Sequence, residues 1–355
     1  MLLLGIETSC DDTATAVVRD GQSVLADVST NQDAFHAAYG GIVPEIASRK
    51  HLELLAAAIE DALGRAALGF DDLDGIAVTA GPGLVGSLVV GVAHAKALAF
   101  ARRLPLFAVN HLHGHLFAPF LARPGEASCE PRYPMLALIV SGGHTQLVRV
   151  DSPLELTILG RTRDDAAGEA YDKSARLLGL PFPGGPPLDR LAREGDPAAV
   201  AFPRHRGERD SLDFSFSGLK TAVRYFLENP ANRATRPADV AASFQAAVVE
   251  QLIERLERAA ARADYAAAVL TGGVAANSAL QTAFAAWSAR RGIPGFAPPP
   301  RWCTDNAAMI AAAADRQGEA IRTDPLALVA DPNLPFEIRP LAERYGLPSR
   351  WKNSA

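Results

Sequence analysis

A chain of 355 residues that is 48% apolar and 21% charged has the composition of a folded globular protein of about two domains, which excludes a disordered or fibrous one. Its net charge of -5 gives no overall basic field, so a nucleic-acid partner has to be met by a local patch or by another subunit. The cysteines, Cys10, Cys129 and Cys303, are too sparse and odd in number for a disulfide framework, which points to a reducing cytoplasm.

Residues 1–7 are predicted as a buried strand, with no basic segment and cleavage site before it, and residues 13–20 as its antiparallel return. The turn between them, Thr8-Ser9-Cys10-Asp11-Asp12, sets small polar and acidic groups at a strand end. An acid placed there beside a phosphate cradle serves as a base or holds a metal-bound water. Residues 74–79, the loop Gly81-Pro82-Gly83 and residues 84–103 then read as strand, glycine loop and helix. His94 and Lys96 interrupt the apolar stretch 89–101, so no apolar run reaches the ~20 residues of a membrane helix.

A helix is predicted over 111–121. His111 and His115 stand four apart in it, which stacks their β-carbons ~5–6 Å apart on one face, close enough to share a metal. His113 points away from that face, and all three could equally be caps or surface groups. Two imidazoles alone make a weak site. Asp305 follows Trp302-Cys303-Thr304 and precedes an alanine-rich helix over 306–314. It is the candidate carboxylate ligand, and equally a candidate N-cap. A zinc peptidase would carry glutamate directly after the first histidine as general base, and this chain has Leu112 there.

Residues 134–141 and 144–150 repeat the opening hairpin, with Gly142-Gly143 at the turn. There Ser141-Gly142-Gly143-His144-Thr145 offers bare backbone N–H groups to an anion. Asp164-Asp165 precede a helix carrying Glu169, Tyr171, Asp172 and Lys173; Asp165 is a candidate cap and Asp172-Lys173 a candidate solvated pair. Gly184-Gly185-Pro186 is another tight turn, with Asp189 just inside the next helix. Residues 203–217 are polar, basic and turn-rich and are predicted as an exposed insertion. Residues 239–262 carry Val240, Phe244, Val248, Leu252 and Leu256 at four-residue steps, a helix that buries one face. Residues 266–271, Gly272-Gly273 and a helix over 276–290 repeat the strand, loop and helix unit, its helix N-terminus favouring negative charge. No Walker lysine motif is present. From residue 323 prolines accumulate, and the last ~25 residues read as an irregular tail wrapped on the surface.

Two copies of hairpin then strand, loop and helix imply two duplicated lobes of one α/β architecture, each a mixed sheet flanked by helices, with ligands at the strand ends in a central cleft. The lobes are expected over residues 1–130 and 131–330 and the tail over 331–355. The helix after Asp305 is a candidate to pack back on the first lobe.

These residues resemble a known family. Gly5-Ile6-Glu7-Thr8-Ser9-Cys10-Asp11, Tyr39-Gly40-Gly41-Ile42-Val43-Pro44-Glu45, Gly81-Pro82-Gly83-Leu84, the run 111–115 and Val140-Ser141-Gly142-Gly143-His144-Thr145-Gln146 occur in the order found in the tRNA adenosine threonylcarbamoyltransferases, once called glycoproteases. Asp164-Asp165-Ala166-Ala167-Gly168-Glu169-Ala170-Tyr171-Asp172-Lys173, Pro183-Gly184-Gly185-Pro186, Phe214-Ser215-Phe216-Ser217-Gly218-Leu219-Lys220, Gly272-Gly273-Val274-Ala275-Ala276-Asn277 and Thr304-Asp305-Asn306 continue the match, in the form of the bacterial branch. The resemblance implies the actin-like, sugar-kinase and Hsp70-type ATPase fold. It implies transfer of a threonylcarbamoyl group from threonylcarbamoyl-AMP to the exocyclic amino nitrogen of adenosine 37 in tRNAs reading codons that begin with A. It further implies one divalent metal, iron before zinc, on His111, His115 and Asp305. Ile139, Val140, Ser141, Gly142, Gly143, Asp172, Gly185, Asp189 and Asn277 would bind the adenylate, and Asp11 would be the catalytic acid. The family often has glutamate where this chain has Asp12, a side chain of shorter reach. Partners implied are tRNA, an inactive paralogue of the same fold and a small P-loop ATPase, with no membrane. Arg161, Arg163, Arg204, Arg206, Lys220 and Arg224 are the basic candidates for tRNA contact.

Two other readings compete with it. A small-molecule kinase of the same fold would place ATP among the glycine loops, with Asp11 activating a hydroxyl, and would leave His111, His115 and Asp305 without use. An inactive scaffold subunit would have lost the histidine pair and the second-lobe loops, and both are present.

Overall fold

The first strand, β1 (Leu2–Glu7), is buried at every position in the computed structural model, which describes residues 1–204 and 210–338. Burial without alternation requires cover on both faces of its sheet. β1 pairs antiparallel with β2 (Thr13–Arg19), Glu7 facing Ala14, and β2 pairs with β3 (Ser23–Thr30). A single turn, α1 (Asp33–His36), leads to α2 (Pro44–Ala66), which opens on a proline whose fixed φ suits the first helical turn. α2 buries Ala47, His51, Leu55, Ala58, Ile59, Ala62 and Leu63 as one stripe. β4 (Gly75–Gly81) lies parallel to β1, and β5 (Leu106–Asn110) parallel to β4. Between them α3 (Val85–Arg102) is long and apolar enough, by length and composition, to cross a membrane. It packs instead on β4 and α2 through Ser87, Leu88, Gly91, Val92, Ala95 and Ala99. The helix predicted over 111–121 divides into α4 (His111–Phe117), which follows β5 directly, and a 3-10 turn at Ala118–Phe120 where Pro119 interrupts.

The second sheet opens with β6 (Met135–Val140), which pairs antiparallel with β7 (Thr145–Ser152), Val140 opposite Thr145. β8 (Glu155–Arg161) forms its far edge. Four helices follow: α5 (Ala167–Leu177), α6 (Gly185–Ala192), α7 (Ser217–Glu228) and α8 (Pro237–Ala260). β9 (Ala267–Thr271) is parallel to β6; Gly273–Ala276 forms a 3-10 turn before α9 (Ser278–Arg291), and β10 (Gly295–Phe296) closes the sheet. The α8 stripe Val240, Phe244, Val248, Leu252 and Leu256 is fully within this unit's core. Each such side chain contributes about 1.5–3 kcal/mol by leaving water.

The stretch predicted as an exposed insertion is corrected here. Leu212, Phe214 and Phe216 are buried, Phe214 bridges to Thr162, and the two phenylalanine rings stack with centroids 6.3 Å apart. Their every-second-residue spacing is a strand signal that the intervening Asp213 and Ser215 conceal.

After α10 (Ala307–Gln317), β11 (Arg322–Thr323) completes the first sheet, of order β11-β5-β4-β1-β2-β3. One compact unit comprises Met1–Pro131, Asp151–Leu156 and the chain from Asp305 onward; the other comprises Arg132–Val150 and Thr157–Thr304. α10 packs on β1, β2 and α4. A Cβ at Gly5 would sit 2.2 Å from the Ala307 carbonyl oxygen, so only glycine lets α10 approach β1 this closely. Beyond β11 the described part of the tail is anchored rather than lying on the surface: Leu328, Leu334, Phe336 and Ile338 are buried. Residues 339–355 lie outside the described residues, as does Arg206.

Candidate active site and metal centre

α4 begins at the end of a parallel strand, and Asn110 caps it, its side-chain oxygen accepting from the Leu112 N–H (2.9 Å). The i,i+4 spacing sets the His111 and His115 rings edge to face, with centroids 4.8 Å apart. Asp305 meets them from the residue before the α10 cap: its Oδ1 lies 3.4 Å from His111 Nε2 and 3.3 Å from His115 Nε2. The cap itself is Asn306, which accepts from the Met309 N–H, so Asp305 is released from the capping role and faces the histidines.

Glu7 fixes the chemistry of this cluster, and sequence reasoning did not select it for the site. It is wholly buried at the end of β1 and accepts from His111 Nδ1 (2.9 Å), from the Thr79 hydroxyl (2.6 Å) and from the Ser9 N–H. With the His111 proton held at Nδ1, its Nε2 lone pair turns toward Asp305 and His115. Acceptor atoms that converge without a donor need a cation among them. The three ligand atoms all lie within 4.8 Å of one another, as a single ion requires. Without a metal the site retains a proton. Burial pulls the His111 pKa down, but Asp305 and Glu7 more than offset it and raise it well above its ordinary value. Burial opposes ionisation of Asp305, and His111 overrides it, holding the carboxyl far below the usual range. His115 is pulled down by burial, with Asp305 opposing. Both histidines are buried while Asp305 is 24% exposed, so the open side of the cluster is its carboxylate edge.

Asp11 and Asp12 lie in the turn after β1. Burial raises the pKa of both, and the Asp305 charge raises it further; Asp12 reaches about 8. The turn is held from α2 by His51, a second residue that sequence reasoning missed. His51 Nε2 donates to the Cys10 carbonyl (2.9 Å), and the Thr13 hydroxyl donates to His51 Nδ1 (2.8 Å).

In the second unit the predicted loop residues form linked pairs. Ile139 and Val140 end β6 in full burial, and the Ser141 carbonyl accepts from the Gly168 N–H at the start of α5 (3.2 Å). Gly142 and Gly143 are exposed at the hairpin turn. Asp172 accepts from the Gly184 N–H (2.7 Å), which ties α5 to the turn where Gly185 opens α6. Asp189 accepts from Ser278 (2.8 Å) and Arg193 (2.7 Å). Asn277 caps α9 through Leu280 N–H and donates to Gln245 Oε1 (2.7 Å).

The model of the tRNA N6-adenosine threonylcarbamoyltransferase (TsaD) family matches residues 23–312. The chain belongs to this family. It is 52% identical to the tRNA N6-adenosine threonylcarbamoyltransferase of Moorella thermoacetica over 338 residues, 94% of this chain and 97% of the relative. It is also 52% identical to that of Geobacter metallireducens over 339 residues, 95% and 98% of the two chains. Solved structures share the fold at low identity. HypF of T. kodakarensis aligns with a TM-score of 0.56 and 15% identity over 88% of this chain and 46% of that one. Component A of the (R)-2-hydroxyglutaryl-CoA dehydratase of Acidaminococcus fermentans aligns with a TM-score of 0.52 and 15% identity over 89% and 98%. The fold is therefore that of the actin-like ATPases and sugar kinases.

For a threonylcarbamoyltransferase the acidic pair ahead of α5 has a clear structural use. Asp164 accepts from the Phe216 and Ser217 N–H groups (2.8 and 3.2 Å) at the start of α7, and from the Ser215 hydroxyl. Asp165 pairs with Lys220 (2.7 Å) and Lys173 (3.1 Å). Of the basic candidates for tRNA contact, Arg163 pairs with Asp213, Arg204 with Glu250 and Arg224 with Glu228. Pairing dilutes the positive field that a phosphate backbone would need.

Proposed function

We propose that this chain transfers the threonylcarbamoyl group of threonylcarbamoyl-AMP to the exocyclic amino nitrogen of adenosine 37 in tRNAs reading codons that begin with A. The observation that carries the reading is the convergence of His111, His115 and Asp305, with Glu7 setting the His111 tautomer. These three residues would hold one iron, or failing that zinc, which when bound polarises the donor's oxygen groups and offsets developing charge.

An aromatic amine is a poor nucleophile, so the acyl group has to arrive with a good leaving group. The amino nitrogen attacks the carbamoyl carbon, the bond from that carbon to the phosphate oxygen breaks, and AMP leaves. Asp11 accepts the proton that the nitrogen sheds; its raised pKa makes it a stronger base than an ordinary aspartate. Gly142 and Gly143 offer N–H groups to the adenylate phosphate, and Ser141, whose own N–H is held by the His144 carbonyl (2.8 Å), fixes the turn that presents them. Asp172, Gly185, Asp189 and Asn277 cradle the rest of the adenylate, with Ile139 and Val140 as its floor. The ion pairs of Arg163, Arg204, Lys220 and Arg224 weaken the field these candidates offer a phosphate backbone, which favours tRNA delivery with partners, an inactive paralogue of the same fold and a small P-loop ATPase.

The test is reconstitution with synthetic threonylcarbamoyl-AMP and unmodified tRNA, followed by nucleoside mass spectrometry. Threonylcarbamoyladenosine at position 37 is expected, with sustained turnover only when the partners are added. Absence of the product with partners and donor supplied would overturn the reading.

A further inference from the structure

Three features have no use in that chemistry: the loop Gly81-Pro82-Gly83, the middle histidine His113, and residues 328–336 beyond the last helix. The structure joins all three. Leu328 and Leu334 enter the core of the first unit beside Ile76, Val78 and Ala108. Lys96 Nζ donates to the Leu328 carbonyl (2.7 Å), the Asp331 N–H to the Ala80 carbonyl (2.8 Å) and the Gly83 N–H to the Pro332 carbonyl (3.3 Å). At Gly81 a Cβ would lie 1.9 Å from the Asp331 carbonyl oxygen, so the loop's first glycine is the place where this segment crosses the end of β4.

The segment then reaches the back of α4. Asn110 Nδ2 donates to the Pro335 carbonyl (2.9 Å), while the same side chain caps α4 through its oxygen. His113 Nε2 donates to the Phe336 carbonyl (2.6 Å), and its ring meets the Phe336 ring edge on at 5.0 Å. Gln317 of α10 donates to His113 Nδ1 (3.1 Å), so both ring nitrogens are engaged. α4 has only seven residues, too few to hold its own geometry in isolation.

We propose that residues 328–336 are a strap that sets the position of the metal helix, with Asn110 and His113 as the positioning residues that transmit it. The inference rests on the reading of His111, His115 and Asp305 as metal ligands. The strap fixes α4 on the side away from its ligands, and so determines whether the two imidazoles face Asp305. By linkage, a metal held on the front of α4 stabilises the strap behind it.

The test uses the full chain loaded with zinc and challenged with excess EDTA, with zinc release followed over time. His113→Phe keeps the ring and its edge contact but loses both hydrogen bonds. It is expected to load zinc as the wild type does and release it at least ~10-fold faster, the lower end for loss of a residue that orients a ligand. Gln317→Leu, which removes the α10 bond to His113 and leaves the bond to the Phe336 carbonyl, is expected to release zinc at the wild-type rate. Release from folded His113→Phe at the wild-type rate, or equal acceleration in Gln317→Leu, overturns the proposal. Hydrogen exchange on the unaltered chain tests it without any substitution: zinc should slow the Gly83 and Asp331 amides by at least ~10-fold, if the coupling is of that size. Equal exchange with and without bound zinc overturns the strap. Failure of the wild type to bind zinc or iron at all would instead remove the metal reading on which it stands.

Discussion

Glu7→Gln alters one atom of a buried side chain, and the structure sets what that change removes. Glu7 Oε2 accepts from His111 Nδ1 and the Thr79 hydroxyl, and Oε1 accepts from the Ser9 N–H. Glutamine keeps one oxygen and gains a donor in place of the other. With the new NH2 toward His111, the imidazole has to move its proton to Nε2, the atom that faces Asp305. With the NH2 toward Ser9, two buried donors confront each other and one is left unmade, at about 1–3 kcal/mol. Either arrangement weakens the metal site by about 1.4–2.7 kcal/mol, which is ~10–100-fold in affinity. Competition for zinc or iron against a chromophoric chelator measures it, with the melting temperature of the metal-free variant as a check on folding. In the metal-free variant the His111 pKa should also fall toward its ordinary value, since Glu7 is one of the two charges that raise it. A folded Glu7→Gln with wild-type metal affinity would refute the assignment of Glu7 as the residue that orients His111.

Asp11→Asn should still bind threonylcarbamoyl-AMP but transfer it at least ~100-fold more slowly in single turnover, the range for losing a general base; an unchanged rate would leave Asp11 a turn residue. Asp12 holds its proton to about pH 8 in the metal-free fold, whereas the unfolded chain loses it near the ordinary value of 3.8, so stability falls as pH rises between those values. Asp12→Asn should remove that fall, and melting curves of metal-free protein from pH 5 to pH 8 with the wild-type slope would contradict it. Asn306→Ala should cost about 1 kcal/mol by loss of the α10 cap, read as a lowered melting temperature, and no change would mean that the cap is redundant.

Much of the site was legible because its spacing carries its geometry. Histidines four positions apart on a helix share one face whatever surrounds them, so His111 and His115 could be read directly. Asp305 could not be separated from a cap by sequence, because the decision rests with the next residue: Asn306 takes the cap and frees Asp305. Glu7 closes a strand of otherwise apolar residues, and one-dimensional pattern treats it as the strand's end rather than as a buried acceptor. Its signal was a charge on a strand that is buried on both faces. His51 sits in the apolar stripe of α2 between Ala47 and Leu55, four residues from each, where a polar side chain needs a partner that only the tertiary structure supplies. Residues 212–216 and 334–338 were misread for a related reason. In both, buried apolar side chains are separated by polar residues or prolines, which local pattern scores as surface.

The metal centre is the account's central claim, and elemental analysis tests it most directly. The full chain, purified without chelator, should carry about one iron or zinc ion, the number that a single three-ligand site holds. His115→Ala and Asp305→Ala should carry none while remaining folded by circular dichroism. Metal-free wild-type protein that still transfers threonylcarbamoyl to tRNA at full rate would contradict the account.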